Sequence, residues 1–438
     1  MREISILTFF IICIAGAGSA PGRVPESGVW KAPFDTNAVA DVSSSSILTL
    51  GDVLRLTAVH NPILKALASD RRASEAALKQ ASLWSNPELH FEIEEFALDA
   101  PGLQESELAL SIAQEFELFG QRGARKNLAR AEISATELET SIKAFDLYLE
   151  VKRRFYGLAH AQQQYRLFQS SVRFANEVVE NIRFRMDRGA ALQSELLLAR
   201  LESQHSQLLL EQAEQEVAVA AVSLQACWGG ESEHVTVTVE SEPDFSIVLG
   251  QISSLVKNID STRSLTWLHR RSGIARAEQR LSAAEAGPRI TLSGGIRRLE
   301  GSNTNSLYFG VSLPVPLFNR NQGDRERLTT EIRSIGYQID GERTIITAEL
   351  NAMSIRLHQL LNKRESLVSI LIPTAGEVNE TLKQIYESGR LPYTQLIEAR
   401  RILYDLNSEH NNLLLAIQEQ IIALESLSGV TLNIYGEN

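Results

Sequence analysis

Arg185-Met-Asp-Arg-Gly189-Ala-Ala-Leu-Gln-Ser-Glu-Leu196-Leu-Leu-Ala199-Arg200 aligns without a gap on Ile385-Tyr-Glu-Ser-Gly389-Arg-Leu-Pro-Tyr-Thr-Gln-Leu396-Ile-Glu-Ala399-Arg400. Gly, Leu, Ala and Arg recur at the same offsets, each time between two long helical patterns. The duplication extends outside those helices. Asn86-Pro87-Glu-Leu pairs with Gly287-Pro288-Arg-Ile, and Leu118-Phe119-Gly-Gln-Arg-Gly123-Ala-Arg125 pairs with Leu317-Phe318-Asn-Arg-Asn-Gln-Gly323-Asp-Arg325. One structural unit is written twice, so any fold must serve both copies.

Working outward from the two glycines, Arg122 to Asp187 contains one strong breaker, Gly157, and predicts a helix of about 65 residues, roughly 100 Å long. Asp324 to Ser388 predicts a second of comparable length, bent near its far end by Pro373. Ile332, Ile335, Ile339, Ile346, Leu350, Met353, Leu357 and Leu360 form a heptad seam along it. The return helices, 190–228 and 390–428, are too short to travel back alone. Stacking each on the helix before its hairpin (50–83 or 262–286) restores the length, and 229–261 with its Val235-Thr-Val-Thr-Val239 run fills the waist.

Between these helices the hydrophobic period switches to two. Leu89, Phe91 and Ile93 alternate with Glu88, His90, Glu92 and Glu94; Leu108, Leu110, Ile112, Phe116 and Leu118 oppose Glu107, Ser111, Glu115 and Glu117. The second copy repeats this with Ile290, Leu292 and Ile296, then Leu307, Phe309, Val311, Leu313, Val315 and Leu317. Such segments are strands with one apolar face and one polar or acidic face, of a length that crosses an outer membrane when tilted. Two hairpins packed on a soluble core would also alternate, but would not need several carboxylates per strand. Four strands in lipid cannot leave their edge groups unpaired, so several chains must pool theirs.

The expected organisation is a signal peptide at 1–20, whose apolar run Ile4 to Ala17 ends at Gly18-Ser19-Ala20, then a flexible Pro/Gly/Ser-rich leader at 21–46. The first repeat follows at 47–230, an equatorial segment at 231–261, the second repeat at 262–432 and a tail at 433–438. Cys13 lies inside the apolar run, poor context for lipid attachment, which leaves Cys227 alone in the mature chain and excludes an intrachain disulfide. A net charge of −11 without a basic stripe argues against a nucleic-acid partner.

This plan resembles that of the TolC-type outer-membrane efflux proteins across residues 48–432. Asn86-Pro87-Glu-Leu with its acidic strand, and Ser111-Ile-Ala-Gln-Glu-Phe-Glu-Leu-Phe-Gly-Gln-Arg-Gly-Ala-Arg125, are similar to the cobalt-zinc-cadmium branch. The resemblance implies a mostly α protein with membrane β: a homotrimer with a 12-stranded barrel in outer-membrane lipid and a long periplasmic α-barrel. It also implies partnership with a periplasmic adaptor and an inner-membrane pump of the RND type. The Gly then Leu-x-x-Ala-Arg turns are similar to the family's adaptor-docking tips, which places Gly189, Leu196, Ala199, Arg200, Gly389, Leu396, Ala399 and Arg400 there. The positions matching the family's gate are Glu195, Tyr386, Gln395 and Glu398; Leu391 stands where the family has a constriction arginine, with Arg390 beside it. For Glu195 and Glu398 a solvated helix face is the alternative reading, and Arg200 and Arg400 are expected to pair with acids on neighbouring helices.

An enzyme is the first rival. The histidines, among them His60, His160, His205 and His358, are scattered, and there is no nucleophile elbow, zinc signature or P-loop, so neither catalysis, cofactor nor bound metal is expected. The second rival, an exported coiled-coil adaptor or tether, would not need four membrane-length strands. With Cys227, Met186 and Met353 as the mature sulfurs, a copper or silver relay is disfavoured. The expected cargo is divalent heavy-metal cations, with drugs or other small molecules as the alternative for the same duct.

Overall fold

The computed structural model describes residues 47–94, 106–230, 235–239 and 245–432. The signal peptide, the leader, the first hairpin's loop with Pro101 and Gly102, and the C-terminal tail lie outside the described residues.

The first copy runs β1 (Ile47–Leu48), α1 (Leu50–His60), α2 (Pro62–Ala81), β2 (Glu88–Glu94), β3 (Glu107–Phe116), α3 (Gln121–Met186) and α4 (Gln193–Gln225). After β4 (Thr236–Val237) the second runs α5 (Ser246–Lys257), α6 (Arg263–Glu285), β5 (Ile290–Leu299), β6 (Thr304–Ser312), α7 (Gln322–Ser366), α8 (Ile372–Glu387) and α9 (Tyr393–Ser428). Two expectations need correction. The helix read over 50–83 is two helices, because Asn61 ends one and begins the other. Its side-chain oxygen accepts from the Ile63 N–H (2.7 Å), its amide donates to the Cys227 carbonyl (2.7 Å), and Pro62 takes the first helical position. The second long helix is likewise interrupted, by a π-helical segment (Leu367–Leu371) just before Pro373, which has no N–H to offer the ladder. α7, that segment and α8 have 45, 5 and 16 residues, together the length of α3 at 66 residues.

Both long helices start and stop alike. Each is entered through a left-handed residue, Gly120 (φ 85°) or Asn321 (φ 55°). The glutamine that follows reaches back: Gln121 Oε1 accepts from the Phe119 N–H (3.0 Å) and Gln322 Oε1 from the Arg320 N–H (2.8 Å). The segment after each repeated Leu-Phe pair, Leu118-Phe119 and Leu317-Phe318, is therefore a junction that aims each long helix out of its hairpin.

α3 packs on α2 and α4 to one side and on α6 and α9 to the other, while α7 packs on α6 and α9 and α8 on α9. The described helices therefore form a layer with α2 and α4 along one edge and α7 and α8 along the other. At the waist, β1 pairs in parallel with β4 above a core of Val53, Phe145, Val151, Phe155 and Leu224. There the Lys152 ammonium lies 2.8 Å from both oxygens of Glu425, whose Oε1 also accepts from the Leu432 N–H (2.8 Å).

The hairpins form one antiparallel sheet in the order β2-β3-β5-β6. Its register sets apolar side chains in rows. Phe91, Leu110, Ile296 and Leu307 stand directly opposite one another, and so do Leu89, Ile112, Gly294 and Phe309. This whole face is bare: Leu89, Leu307 and Val311 are each 73% exposed and Phe309 is 87% exposed. A soluble hairpin pair would have turned this face inward.

Candidate functional site

Four parts of the molecule can act: the two helical tips and the two faces of the sheet. At the tips Gly189 (φ 70°) and Gly389 (φ 75°) are left-handed. In the first, the Ala190 N–H donates to the Arg185 carbonyl (2.8 Å) and the Gly189 N–H to Met186 (2.9 Å); in the second, Arg390 donates to Ile385 (3.3 Å) and Gly389 to Tyr386 (2.9 Å). This paired 6→1 and 5→2 pattern satisfies the last carbonyls of a long helix and turns the chain back. A Cβ at Gly389 would meet nothing within 4 Å, so the requirement is for backbone conformation rather than space. Gly389→Val should therefore cost about 1–2 kcal/mol and raise amide exchange in the turn roughly tenfold while the distant helices keep their protection. Hydrogen exchange read by mass spectrometry checks this, and unaltered exchange at the turn would remove the left-handed requirement.

The structure brings the two tips together. Leu196, Ala199, Tyr386, Tyr393 and Leu396 are buried in one cluster with Val178, Val179 and Ile182. Leu196, Leu396, Ala199 and Ala399 are thus the inside of the tips, out of a partner's direct reach, because the i, i+3 spacing that repeats them points one stripe at α3 or α8. Arg200 is exposed. The expectation that Arg400 pairs with an acid is corrected: its guanidinium lies 4.3 Å from the Phe174 ring and 4.7 Å from that of Tyr404, whose hydroxyl accepts from it (3.0 Å). Two aromatic faces offer the cation a better-desolvated seat than a solvated carboxylate would.

Among the four gate candidates, Glu195 and Tyr386 share an environment, whereas Gln395 and Glu398 are exposed on the first turns of α9. Tyr386 is 3% exposed. Burial raises its phenol above the ordinary range, the Arg185 charge opposes the rise, and the Glu195 carboxylate adds to it. Arg185 sits over the ring, 4.9 Å from its centroid. Burial also raises the Tyr393 phenol, with Glu202 and Tyr386 adding to it, and the two rings lie 6.2 Å apart. Both phenols are therefore neutral groups that can tie helices together but carry no charge to cargo. Tyr393 and Arg185 were missed in the sequence. The available signal was Tyr393 itself, an aromatic standing where the first copy has Gln193.

On the sheet, the face opposite the apolar one is polar. Glu88, His90, Glu92, Glu94 and Glu107 come from the first hairpin; Thr291, Ser293, Arg297, Ser306 and Tyr308 come from the second. Glu88 lies 3.3 Å from His90, Glu115 pairs with Arg289 (3.4 Å), and buried Glu117 grips Arg125, whose second nitrogen donates at 2.9 Å. Among the described residues no helix is long and apolar enough to cross a membrane, and no group of three or more His, Cys, Asp or Glu could hold a metal ion.

A sheet with one bare apolar face, set on helices of about 100 Å, is the geometry of a membrane-seated protein. Comparison with known proteins leads to the same class. The family model described as "Outer membrane efflux protein" matches residues 53–230. The chain is 24% identical over 370 residues to the cobalt-zinc-cadmium resistance protein CzcC of Cupriavidus metallidurans, covering 82% of this chain and 84% of that protein. It is 23% identical over 331 residues to the nickel and cobalt resistance protein CnrC of the same organism, covering 73% of this chain and 75% of that one. Among solved structures, the outer membrane protein VceC from Vibrio cholerae superposes with a TM-score of 0.67 at 17% identity, over 87% of this chain and 96% of that one. CusC does so with a TM-score of 0.70 at 16% identity, over 86% and 91%. Residues 53–230 thus match the outer membrane efflux protein family, and over most of its length the chain shares the fold of solved outer-membrane channels and is similar to heavy-metal resistance proteins.

Proposed function

We propose that three copies of this chain close into one duct that conducts divalent heavy-metal cations passively, from an inner-membrane pump of the RND type and a periplasmic adaptor to the exterior. One observation carries the assembly: every open edge of the protomer has its complement on the opposite side. β2 and β6 are the two edges of the sheet; β2 follows α2 and β6 leads into α7, and these helices lie on the two edges of the helical layer. Both helical edges carry unpartnered apolar stripes. On α4 these are Leu197, Leu201, Leu208, Val219 and Val222, with Val219 71% exposed. On α7 they are Tyr337, Ile345 and Ile355, with Tyr337 71% exposed. Each stripe lies opposite the face its helix buries, as it must if a further helix packs beyond it. Pairing β6 of one copy with β2 of the next satisfies the backbone groups that lipid would leave stranded, and three copies supply twelve strands.

In this arrangement the apolar face meets lipid and the acidic face lines the exit. Carboxylates along the path and at Glu195 and Glu398 raise the local concentration of cations and disfavour anions, with Gln395 a neutral polar neighbour. The resistance proteins to which the chain is similar are named for cobalt, zinc, cadmium and nickel, which favours those cations as cargo. The tips serve adaptor docking through the exposed residues around Gly189 and Gly389, with Leu196, Ala199, Leu396 and Ala399 as the packed floor and Arg200 and Arg400 flanking it. Tyr386 and Glu195 help hold the tip closed until a partner that binds the open form better shifts the balance.

Two measurements on one preparation test this. Light scattering of the detergent-extracted protein should give a trimer. Expression with its host's adaptor and pump should protect a metal-sensitive strain against zinc, cobalt or cadmium. A monodisperse folded monomer would overturn the barrel; a trimer that protects only against drugs would overturn the cargo.

A further inference from the structure

The polar face of the sheet is unevenly charged. Its carboxylates all come from the first hairpin, and on β5 and β6 the face is Ser, Thr, Gly and Tyr with Leu299 at its end and one cation, Arg297. That side chain is held from three sides. Its guanidinium lies 2.9 Å from Glu107 Oε2 and 4.0 Å from Glu94 Oε2, and its Cζ is 5.4 Å from the Tyr308 ring centroid. Glu107 is largely covered, whereas Glu94 is half exposed. Arg298, one residue on, belongs to the apolar face, where Glu300 holds its Nε at 2.6 Å and Asn303 accepts from it at 3.2 Å. The two neighbouring arginines therefore serve different faces. Arg297 stands across the sheet from acidic β2, in register with Ala109 and Ser306.

We propose that Arg297 sets the electrostatic potential of the exit lumen, clamped on Tyr308 so that it neutralises Glu107 and Glu94 and leaves Glu88 and Glu92 to define the cation preference. This rests on the reading of the polar face as the barrel's water-lined interior. A fixed cation limits how long a divalent ion dwells in the exit. An acidic ladder without it would retain such ions instead of releasing them, since conduction requires binding weak enough to leave. A planar guanidinium clamped between a ring and a carboxylate keeps its position where a lysine would swing free.

The test uses Ser306→Cys as a reporter in the full-length trimer, since Ser306 is exposed on the polar face and the native Cys227 is buried. Rates of modification by cationic and anionic methanethiosulfonates added from outside are compared. Adding Arg297→Gln should shift the rate ratio toward the cationic reagent roughly fivefold or more, from the loss of a unit charge within a Debye length. Glu107→Gln should shift it the other way, Arg297→Lys should preserve most of the parent ratio, and Arg298→Gln should leave it unchanged. A reporter that reacts but ignores both Arg297→Gln and Glu107→Gln overturns the assignment, as does an equal shift from Arg298→Gln. A reporter in the assembled parent that neither reagent reaches overturns the water-lined barrel itself, a distinguishable failure.

Discussion

Glu425→Gln should lower the unfolding free energy by about 3–5 kcal/mol, the expected cost of leaving one member of a buried ion pair uncompensated. Glu425 is 0% exposed and Lys152 3% exposed, and the ammonium has both carboxylate oxygens at 2.8 Å. Removing the carboxylate's charge strands the Lys152 cation beneath the waist, where water cannot reach it. A double replacement, Lys152→Met with Glu425→Leu, removes both charges and should recover most of the loss, because an apolar pair of similar volume carries no desolvation cost. Thermal unfolding followed by circular dichroism in detergent separates the cases. If the single variant unfolds with the parent, the pair is not desolvated as described. If the double variant is as unstable as the single, the cost lies in packing rather than charge. The first copy offers an internal comparison, since Gln225 occupies the place of Glu425 there and is also buried.

Placing glutamates at both Val219 and Val222 should abolish assembly while leaving the protomer helical. These side chains are 71% and 67% exposed, so the isolated chain has little to lose from the exchange. In the proposed ring they pack against α7 of the next copy. Withdrawing two valines from such a seam costs about 1.5–3 kcal/mol each, and burying an unpaired carboxylate costs several more. Those losses recur at every interface of the ring. Sedimentation should show monomer or aggregate with an unchanged helical spectrum. An intact trimer would mean that the α4 stripe faces something other than a second copy.

Long-range order along single elements was legible in the sequence. The first long helix, read from Arg122 to Asp187, is Gln121 to Met186, and four strands stand where period two placed them, although β2 is described over 7 residues and β3 and β6 end at Phe116 and Ser312, short of the alternation read to Leu118 and Leu317. Gly189 and Gly389 declared themselves because a left-handed residue admits few side chains. Features decided by contact were not legible. Asn61-Pro62 reads as an early helical turn, and only the Cys227 carbonyl, 166 residues away, makes it a break. Pro373 announced a bend, but the wider π turn before it depends on how Leu367 seats among Leu357, Ile417 and Leu424. The tip core was half visible: Leu196 and Leu396 were found as a repeat, yet their burial, the stacking of Arg185 on Tyr386 and the Phe174 seat of Arg400 all require α3, α8 and α9 to be in place. The Lys152–Glu425 pair spans 273 residues and leaves no local pattern.

The open edges of this protomer have a geometric consequence. β2 and β6 differ, so in the proposed ring copies meet head to tail, and a head-to-tail contact closes only if its rotation divides the circle. For three copies each four-stranded sheet must turn the chain direction through one third of a revolution. The strand tilt and the splay of α7 against α2 and α4 must agree on that same angle. A change that flattened the sheet, such as a β-branched residue at Gly295, where a Cβ would stand 2.5 Å from the Leu110 carbonyl oxygen, would leave each edge still sticky but the circle unclosed. The same contacts would then propagate as an open filament, and curvature rather than affinity separates a pore from a fibre.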